Sequence, residues 1–293
     1  MSLRVQLLQR ASLAPRFLAD STGLVRDFFV HQFDSNGAAR DRAGRPDLYY
    51  TVFALAGAQA LEAPIPAAAT ALWLNSFGDG AGLDFVHLGA LARCWAAVGQ
   101  ERMPAGLDAA ILKGLEKFRT PDGGYDSNAA RGTAYGAFVA LGAYEDLGRM
   151  PPRPLDLAGS LAGLRSADGA WSNSPGQPVG ALNATAGAAV LTRELGLPVN
   201  SSIGSWILSQ EHRGGGFLAV PGAPIPDLLS TATALHALAR VDHRLPSAVH
   251  ERTLDFIDTL WSAEGGFHGH WADDILDPEY TFYGLLALGH LHG

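Results

Sequence analysis

The chain has little cysteine, little charge and no long apolar run. Among its 293 residues there is one cysteine, Cys94, and only 17% of the residues are charged. A single thiol excludes a disulfide framework and any metal cluster held by several thiolates. Lys and Arg number 21 against 29 Asp and Glu, which gives a net charge of −8. The sequence therefore lacks the basic footprint of a nucleic-acid-binding protein.

Nothing in the sequence indicates a membrane span or a secretion signal. No stretch reaches the roughly 18 consecutive apolar residues that a transmembrane helix needs. The first residues carry Arg4, Arg10 and Arg16 among apolar positions, without the unbroken apolar core of a signal peptide. We predict a cytoplasmic protein without a transmembrane segment, in which residues 1–22 form a helical extension.

The chain is rich in glycine, with 35 residues, and the glycines mark an internal repeat. A glycine pair or near-pair precedes Tyr125, Trp171, Phe217 and Phe267, at intervals of 46, 46 and 50 residues. Such in-phase recurrence is typical of repeat architectures. Each copy continues into a segment of small and apolar residues with a shared threonine, at Thr51, Thr133, Thr185, Thr231 and Thr281. A divergent copy that opens at Gly82 completes six.

Each copy predicts a pair of helices. The first helices are amphipathic, as expected of an outer layer, and are predicted near 24–33, 65–75, 104–118, 154–165, 201–210 and 247–261. The second helices are apolar or small on all sides, as expected of an inner layer, and are predicted near 47–60, 83–98, 131–147, 178–195, 226–241 and 277–292. The predicted fold is all-α: a single α6/α6 toroid domain over residues 1–293.

The repeats resemble those of the terpenoid cyclase and protein prenyltransferase β-subunit superfamily. The resemblance is carried by Trp206 to Gln210 (WILSQ) before Gly215-Gly216-Phe217, and by the segments 227–238 (DLLSTATALHAL) and 277–288 (DPEYTFYGLLAL). It implies an isoprenoid-like apolar ligand in a central cavity, and reactive groups where the inner helices begin. Those ends carry Asp47, Asp84, Asp227 and Asp277, although aspartate there is also a preferred helix N-cap.

The zinc site of the protein prenyltransferases is not expected. Asp227 stands at the position of the aspartate ligand, but Leu229 and Tyr280 stand where the cysteine and histidine ligands would be. Zinc-dependent protein prenylation is therefore not predicted. The resemblance does not indicate whether an α-type partner subunit exists.

In the class II terpene cyclases of this superfamily, an Asp-x-Asp-Asp-Thr motif protonates an alkene. The sequence Asp277-Pro278-Glu279-Tyr280-Thr281 departs from that motif but keeps a carboxyl at the donor position. We expect Glu279 to be the general acid, with the neighbouring Asp277 raising its pKa. The residues expected to bind the substrate are Asp47, Tyr49, Phe53, Asp84, His87, Arg131, Tyr135, Asp227, Tyr280 and Tyr283. Arg131 would contact a diphosphate, if one binds.

Two other functions remain open at this point. The toroid could be a non-catalytic isoprenoid-binding or scaffold protein. It could also be a metal-assisted prenyl diphosphate enzyme that uses the loop 268–277, where Asp273, Asp274 and Asp277 resemble a magnesium-diphosphate motif. No cofactor other than this magnesium is predicted.

Overall fold

The computed structural model describes residues 1–127 and 130–292, and its regular secondary structure there is helical. Two short helices, α1 (Leu3–Ala11) and α2 (Pro15–Leu18), come first. The outer layer consists of α3 (Thr22–His31), α5 (Ala67–Asn75), α7 (Leu107–Leu115), α9 (Pro154–Ala162), α11 (Ser202–Leu208) and α13 (Ser247–Asp258). The inner layer consists of α4 (Leu48–Ala60), α6 (Phe85–Val98), α8 (Ala134–Asp146), α10 (Leu182–Glu194), α12 (Leu228–Arg240) and α14 (Pro278–Leu291).

The inner helices form a closed ring. Each of them packs against the next in chain order, and α14 packs back onto α4. The predicted α6/α6 toroid is thereby confirmed, with the twelve expected helices in the expected order. No described helix has both the length and the apolar character that crossing a membrane would require.

The difference between the two layers follows from composition. Helix α7 buries Ile111, Leu112 and Leu115 on one side and leaves its other side to solvent. Helix α8 has small or apolar residues on nearly every side, and most of it is buried. A helix that is apolar all round is stable only where no face meets water, so the sequence itself places α8 in the inner layer.

The repeated aromatic residue and the shared threonine act together. The aromatic side chains of Trp171, Phe217 and Phe267 are buried. The backbone amide of each donates to a threonine hydroxyl one helical turn into the next inner helix, at 3.1, 3.0 and 3.2 Å for Thr185, Thr231 and Thr281. The buried amide is thus satisfied, and the loop is fixed to the inner helix.

The third copy corrects the predicted threonine register. Thr133 is the N-cap of α8, and its hydroxyl accepts from the Gly136 amide at 2.9 Å. It therefore occupies the place of Asp227 and Asp277, one turn before the shared threonine. In this copy the loop instead approaches the helix at Gly136, where a Cβ atom would lie 1.9 Å from the Tyr125 carbonyl oxygen.

Helix α1 covers the end of the ring where the inner helices finish. It packs against α14, α4 and α8. The Leu3 amide donates to Glu145 at 2.7 Å, and Arg4 donates to the buried Asp146 at 3.2 Å. The absence of a side chain at Gly289 lets the Arg10 carbonyl lie against α14. The ring is consequently closed at this end and accessible from the opposite rim.

Two glycines of α8 provide a test of this packing. We expect Gly136→Ala to lower the free energy of unfolding by about 1–3 kcal/mol or more, because the added methyl would overlap a backbone carbonyl that cannot move alone. Gly142→Ala is the matched control, since nothing lies within 4 Å of its Cβ position. Alanine is the better helix former, so this variant should be neutral or slightly more stable. Urea denaturation of both variants gives the comparison, and equal losses would contradict the proposed close approach.

Candidate active site

The inner helices surround a cavity of about 260 Å³. Its wall is mostly apolar, with aliphatic residues such as Val52, Val86, Leu229 and Leu286. The aromatic residues that line it are Tyr49, Phe53, Tyr135, Phe138, Phe282 and Tyr283. Leu7 and Leu8 of α1 form its closed end. An apolar cavity with a few polar groups is the usual form of a small-molecule site.

The aromatic rings form a continuous cluster on α4 and α14. Phe53 lies at its centre, with ring centroids 5.1 Å from Tyr49, 6.0 Å from Phe282 and 5.5 Å from Tyr283. Tyr50 and Phe85, which also stand near the starts of inner helices, are not part of the cavity wall. Phe85 is buried against Phe118 and Tyr125 instead.

Glu279 is the only carboxyl group among the described residues that line this cavity. It lies in the first turn of α14, and its Oε1 accepts a hydrogen bond of 2.6 Å from the Tyr49 hydroxyl. Burial raises the pKa of Glu279 to about 7; the charge of Asp277 adds to this, while the Tyr49 hydrogen bond and Arg42 oppose it. Near neutral pH, the side chain is therefore present as both the acid and the carboxylate.

Arg42, which no sequence pattern indicated, lies next to the start of α14. Its guanidinium donates to Asp273 at 2.8 and 3.1 Å and to Asp277 at 2.7 Å. It also lies over the ring of Tyr280, 5.4 Å from the centroid. Burial raises the pKa of Asp277, although the Tyr280 amide and Arg42 oppose the shift. The two acids at the start of α14 thus differ, since Asp277 has a cationic partner and Glu279 has a phenol.

Three of the predicted rim residues form a second cluster. His87 lies between two carboxylates: its Nδ1 is 2.9 Å from Asp84, and its Nε2 is 3.1 Å from Asp47. Burial by itself would lower the pKa of His87, but the hydrogen bonds and charges of Asp84 and Asp47 outweigh it and raise the pKa. Asp47 and Asp84 also cap α4 and α6. None of these three residues lines the cavity.

The remaining predicted residues lie apart from the cavity. Asp227 caps α12, and both its oxygens are bonded to Ser230, one to the amide and one to the hydroxyl, at 2.7 Å. Arg131 is exposed before α8, and it does not line the cavity. Tyr280 is held between Arg42 and Gly269 rather than facing the cavity. The structure therefore brings together Glu279, Tyr49, Phe53, Tyr135 and Tyr283, but not the rest of the predicted set.

Several polar residues of the cavity were not anticipated. Asn183 and Thr233 line its wall and are bonded to each other at 2.8 Å, and Asn173 lies nearby in a loop. Arg4 and Arg93 line its deeper part. A signal for Arg93 was present in the sequence, because it is a charged residue in the middle of an otherwise apolar inner helix.

The acidic side chains of the loop 268–277 are not grouped as metal ligands in the described part of the chain. Within residues 1–127 and 130–292, no three His, Cys, Asp or Glu side chains are grouped so that they could hold a metal ion. Asp273 and Asp277 both accept hydrogen bonds from Arg42, so a magnesium ion would have to displace this guanidinium. Magnesium binding by Asp273, Asp274 and Asp277 stays a prediction, which metal analysis of the purified protein would test.

Comparison with known proteins agrees with this architecture. Residues 161–291 match the family model of the prenyltransferase alpha-alpha toroid domain. No protein of curated function matches the chain in sequence. Over residues 161–291, the family match confirms the resemblance that the repeats indicated.

Three solved proteins illustrate the shared fold. Type II terpene cyclase MstE from Scytonema is 13% identical, with a TM-score of 0.60 and coverage of 94% of this chain and 97% of MstE. An MstE variant has been solved with geranylgeranyl dihydroxybenzoate, its substrate. Protein geranylgeranyltransferase-I from Candida albicans, complexed with GGPP, is 16% identical, with a TM-score of 0.52 and coverage of 97% and 81%. A glycosidase is 13% identical, with a TM-score of 0.55 and coverage of 98% and 96%.

The ion pairs of Arg42 lead to a prediction about stability. We expect Arg42→Gln to lower the free energy of unfolding by about 1–3 kcal/mol, because the nearly buried Asp273 and Asp277 would lose their common cation. Arg45→Gln is the control in the same loop, since the Arg45 side chain is 78% exposed in its ion pair with Asp41, and close to no change is expected. Chemical denaturation at pH 7 measures both, and a comparable loss in the two variants would refute the role given to Arg42.

Proposed function

We propose that this chain, whose residues 161–291 carry the prenyltransferase alpha-alpha toroid domain, is a single-domain isoprenoid cyclase of the class II type. In this proposal Glu279 protonates an alkene of a substrate held in the central cavity. The observation that carries it is the placement of Glu279, a half-buried acid with a raised pKa facing an aromatic, apolar cavity. The fold shared with MstE, solved with a geranylgeranyl substrate, supports the choice of an isoprenoid.

The proposed reaction needs two properties from Glu279. Burial raises the pKa of Glu279 to about 7, so part of the protein carries the acid form near neutral pH. Once the proton has passed to an alkene carbon, the Tyr49 hydroxyl, which donates to Oε1, stabilises the carboxylate that remains. Asp277 is not the proton donor in this proposal, because the guanidinium of Arg42 already compensates the negative charge of Asp277.

The cavity wall then acts on the carbocation. The faces of Phe53, Phe282 and Tyr283 carry partial negative charge and attract a cation within about 6 Å of the ring centre. A second alkene of the same chain attacks the cation and forms a ring. The last cation loses a proton from a neighbouring carbon to water, and Glu279 regains a proton from solvent, so the cycle balances.

The same cavity argues against sugar hydrolysis, the activity suggested by the glycosidase of similar fold. Hydrolysis of a glycosidic bond ordinarily uses two carboxyl groups that flank the bond. Among the described residues, Glu279 faces this cavity without a second carboxyl. We therefore rank isoprenoid chemistry first. A protein that binds an isoprenoid without turnover is the second possibility, and it would show ligand binding but no product.

The direct test of cyclisation is an incubation in D₂O with a panel of acyclic isoprenoids. Wild type should give a cyclic product that carries one solvent deuterium at the protonated carbon. Glu279→Gln should reduce the rate by about 10²-fold or more, the usual contribution of a general acid. Glu264→Gln, which alters an exposed loop carboxyl, is the control and should keep its activity. Cyclisation that survives in Glu279→Gln would refute the proposed role of Glu279.

The pH profile gives a second prediction, for Tyr49. Only the protonated form of Glu279 acts, so the rate should fall as pH rises above about 7. The Tyr49 hydrogen bond lowers the pKa of Glu279, and Tyr49→Phe should therefore move this limb of the profile to higher pH. The same variant should reduce the rate by about tenfold, because the carboxylate product loses a charge-assisted hydrogen bond. A reduced rate with an unmoved limb would mean that Tyr49 acts only by packing.

A further inference from the structure

One charged group in the cavity has no part in the proposed protonation. Arg93 faces the cavity from the middle of α6, about 10 Å further along the inner helices than Glu279. Its Nε lies 3.6 Å from Asp146, and its guanidinium lies 5.8 Å from the ring centroid of Phe138. No described residue accepts a hydrogen bond from its two terminal nitrogens, and its side chain is 21% exposed, towards the cavity.

At the end of the cavity that α1 closes, two arginines share one carboxylate. Asp146 is nearly buried, and both Arg4 and Arg93 share its single charge. Arg4 has the closer contact, a hydrogen bond of 3.2 Å. His236 also lines this region, and burial lowers its pKa to about 4, so it is neutral. Glu145, the neighbour of Asp146, accepts a hydrogen bond from the Leu3 amide and lies outside the cavity wall. Arg93 therefore faces an apolar cavity with only a shared carboxylate as its counter-charge, an arrangement that is costly unless a ligand supplies an anion.

We propose that the ligand of this cavity is an isoprenoid with a carboxylate head group, and that Arg93 binds this carboxylate through its two terminal nitrogens. The guanidinium fork matches the two oxygens of a carboxylate. A diphosphate fits less well, because its additional charges would find only Arg4, which Asp146 already compensates.

The orientation of the chain follows from this assignment. With its head group at Arg93, the ligand places its hydrocarbon end towards the rim, where Glu279 lies. Neutralising Arg93 also removes a positive charge that would otherwise destabilise a carbocation in the same cavity. This last argument rests on the proposed function, whereas the binding site itself does not require catalysis.

The test compares two probes of equal chain length, farnesoic acid and farnesol, by calorimetric titration at pH 7.5. Wild type should bind the acid at least about tenfold more tightly than the alcohol. In Arg93→Met this preference should disappear, while the affinity for farnesol is retained. Arg213→Met, which changes an exposed arginine outside the cavity, is the control and should keep the preference.

Each result decides the question. No preference for the acid in wild type, or no binding of the acid, overturns the proposal even if Arg93→Met fails to fold. A preference that persists in a folded Arg93→Met overturns it as well. Arg93→Lys keeps the charge but not the fork and should show an intermediate preference. Because the Glu279→Gln variant should retain the preference, loss of cyclase activity and loss of head-group binding are distinguishable.

Discussion

Six inner helices pack closely around an open centre, and this packing sets the surroundings of every side chain that points into the ring. These helices are rich in alanine and glycine, so they approach one another closely, and their aromatic side chains line the centre of the ring without filling it. Their starts meet at one rim, and α1 closes the other end. Any polar side chain that points inward is consequently removed from bulk water, and its charge must find a partner within the ring.

Glu279 and Arg93 meet this condition in different ways. Glu279 exchanges between acid and carboxylate near neutral pH, since burial raises its pKa to about 7, and a phenol rather than a cation is its partner. Arg93 is a guanidinium, a permanently charged group in proteins, and it shares one carboxylate with Arg4. The charge of Glu279 can therefore change near neutral pH, whereas the positive charge of Arg93 is permanent. A ligand with an anionic head and an alkene tail would satisfy both groups.

The rim carboxylates occupy equivalent positions in the repeats but have different side-chain partners. Asp47, Asp84, Asp227 and Asp277 all cap inner helices, which satisfies backbone amides that would otherwise lack partners. Their side-chain partners differ. His87 lies between Asp47 and Asp84. The Ser230 hydroxyl donates to Asp227, and Arg42 forms an ion pair with Asp277. The cap position is thus set by the helix, while the surrounding loops decide what else each carboxylate does.

The toroid could be predicted from local signals, because hydrophobic periodicity and the glycine-aromatic turn recur along the chain. Glu279 was indicated by the resemblance of Asp277-Pro278-Glu279-Tyr280-Thr281 to the class II cyclase motif. Which inward residues share the cavity is set by the folded ring: its closure joins Tyr49 to Glu279 across two helices, places Arg42 on Asp277, and leaves Arg131 and Asp227 outside. These contacts span most of the chain, and their geometry depends on how the ring closes, which no local pattern specifies.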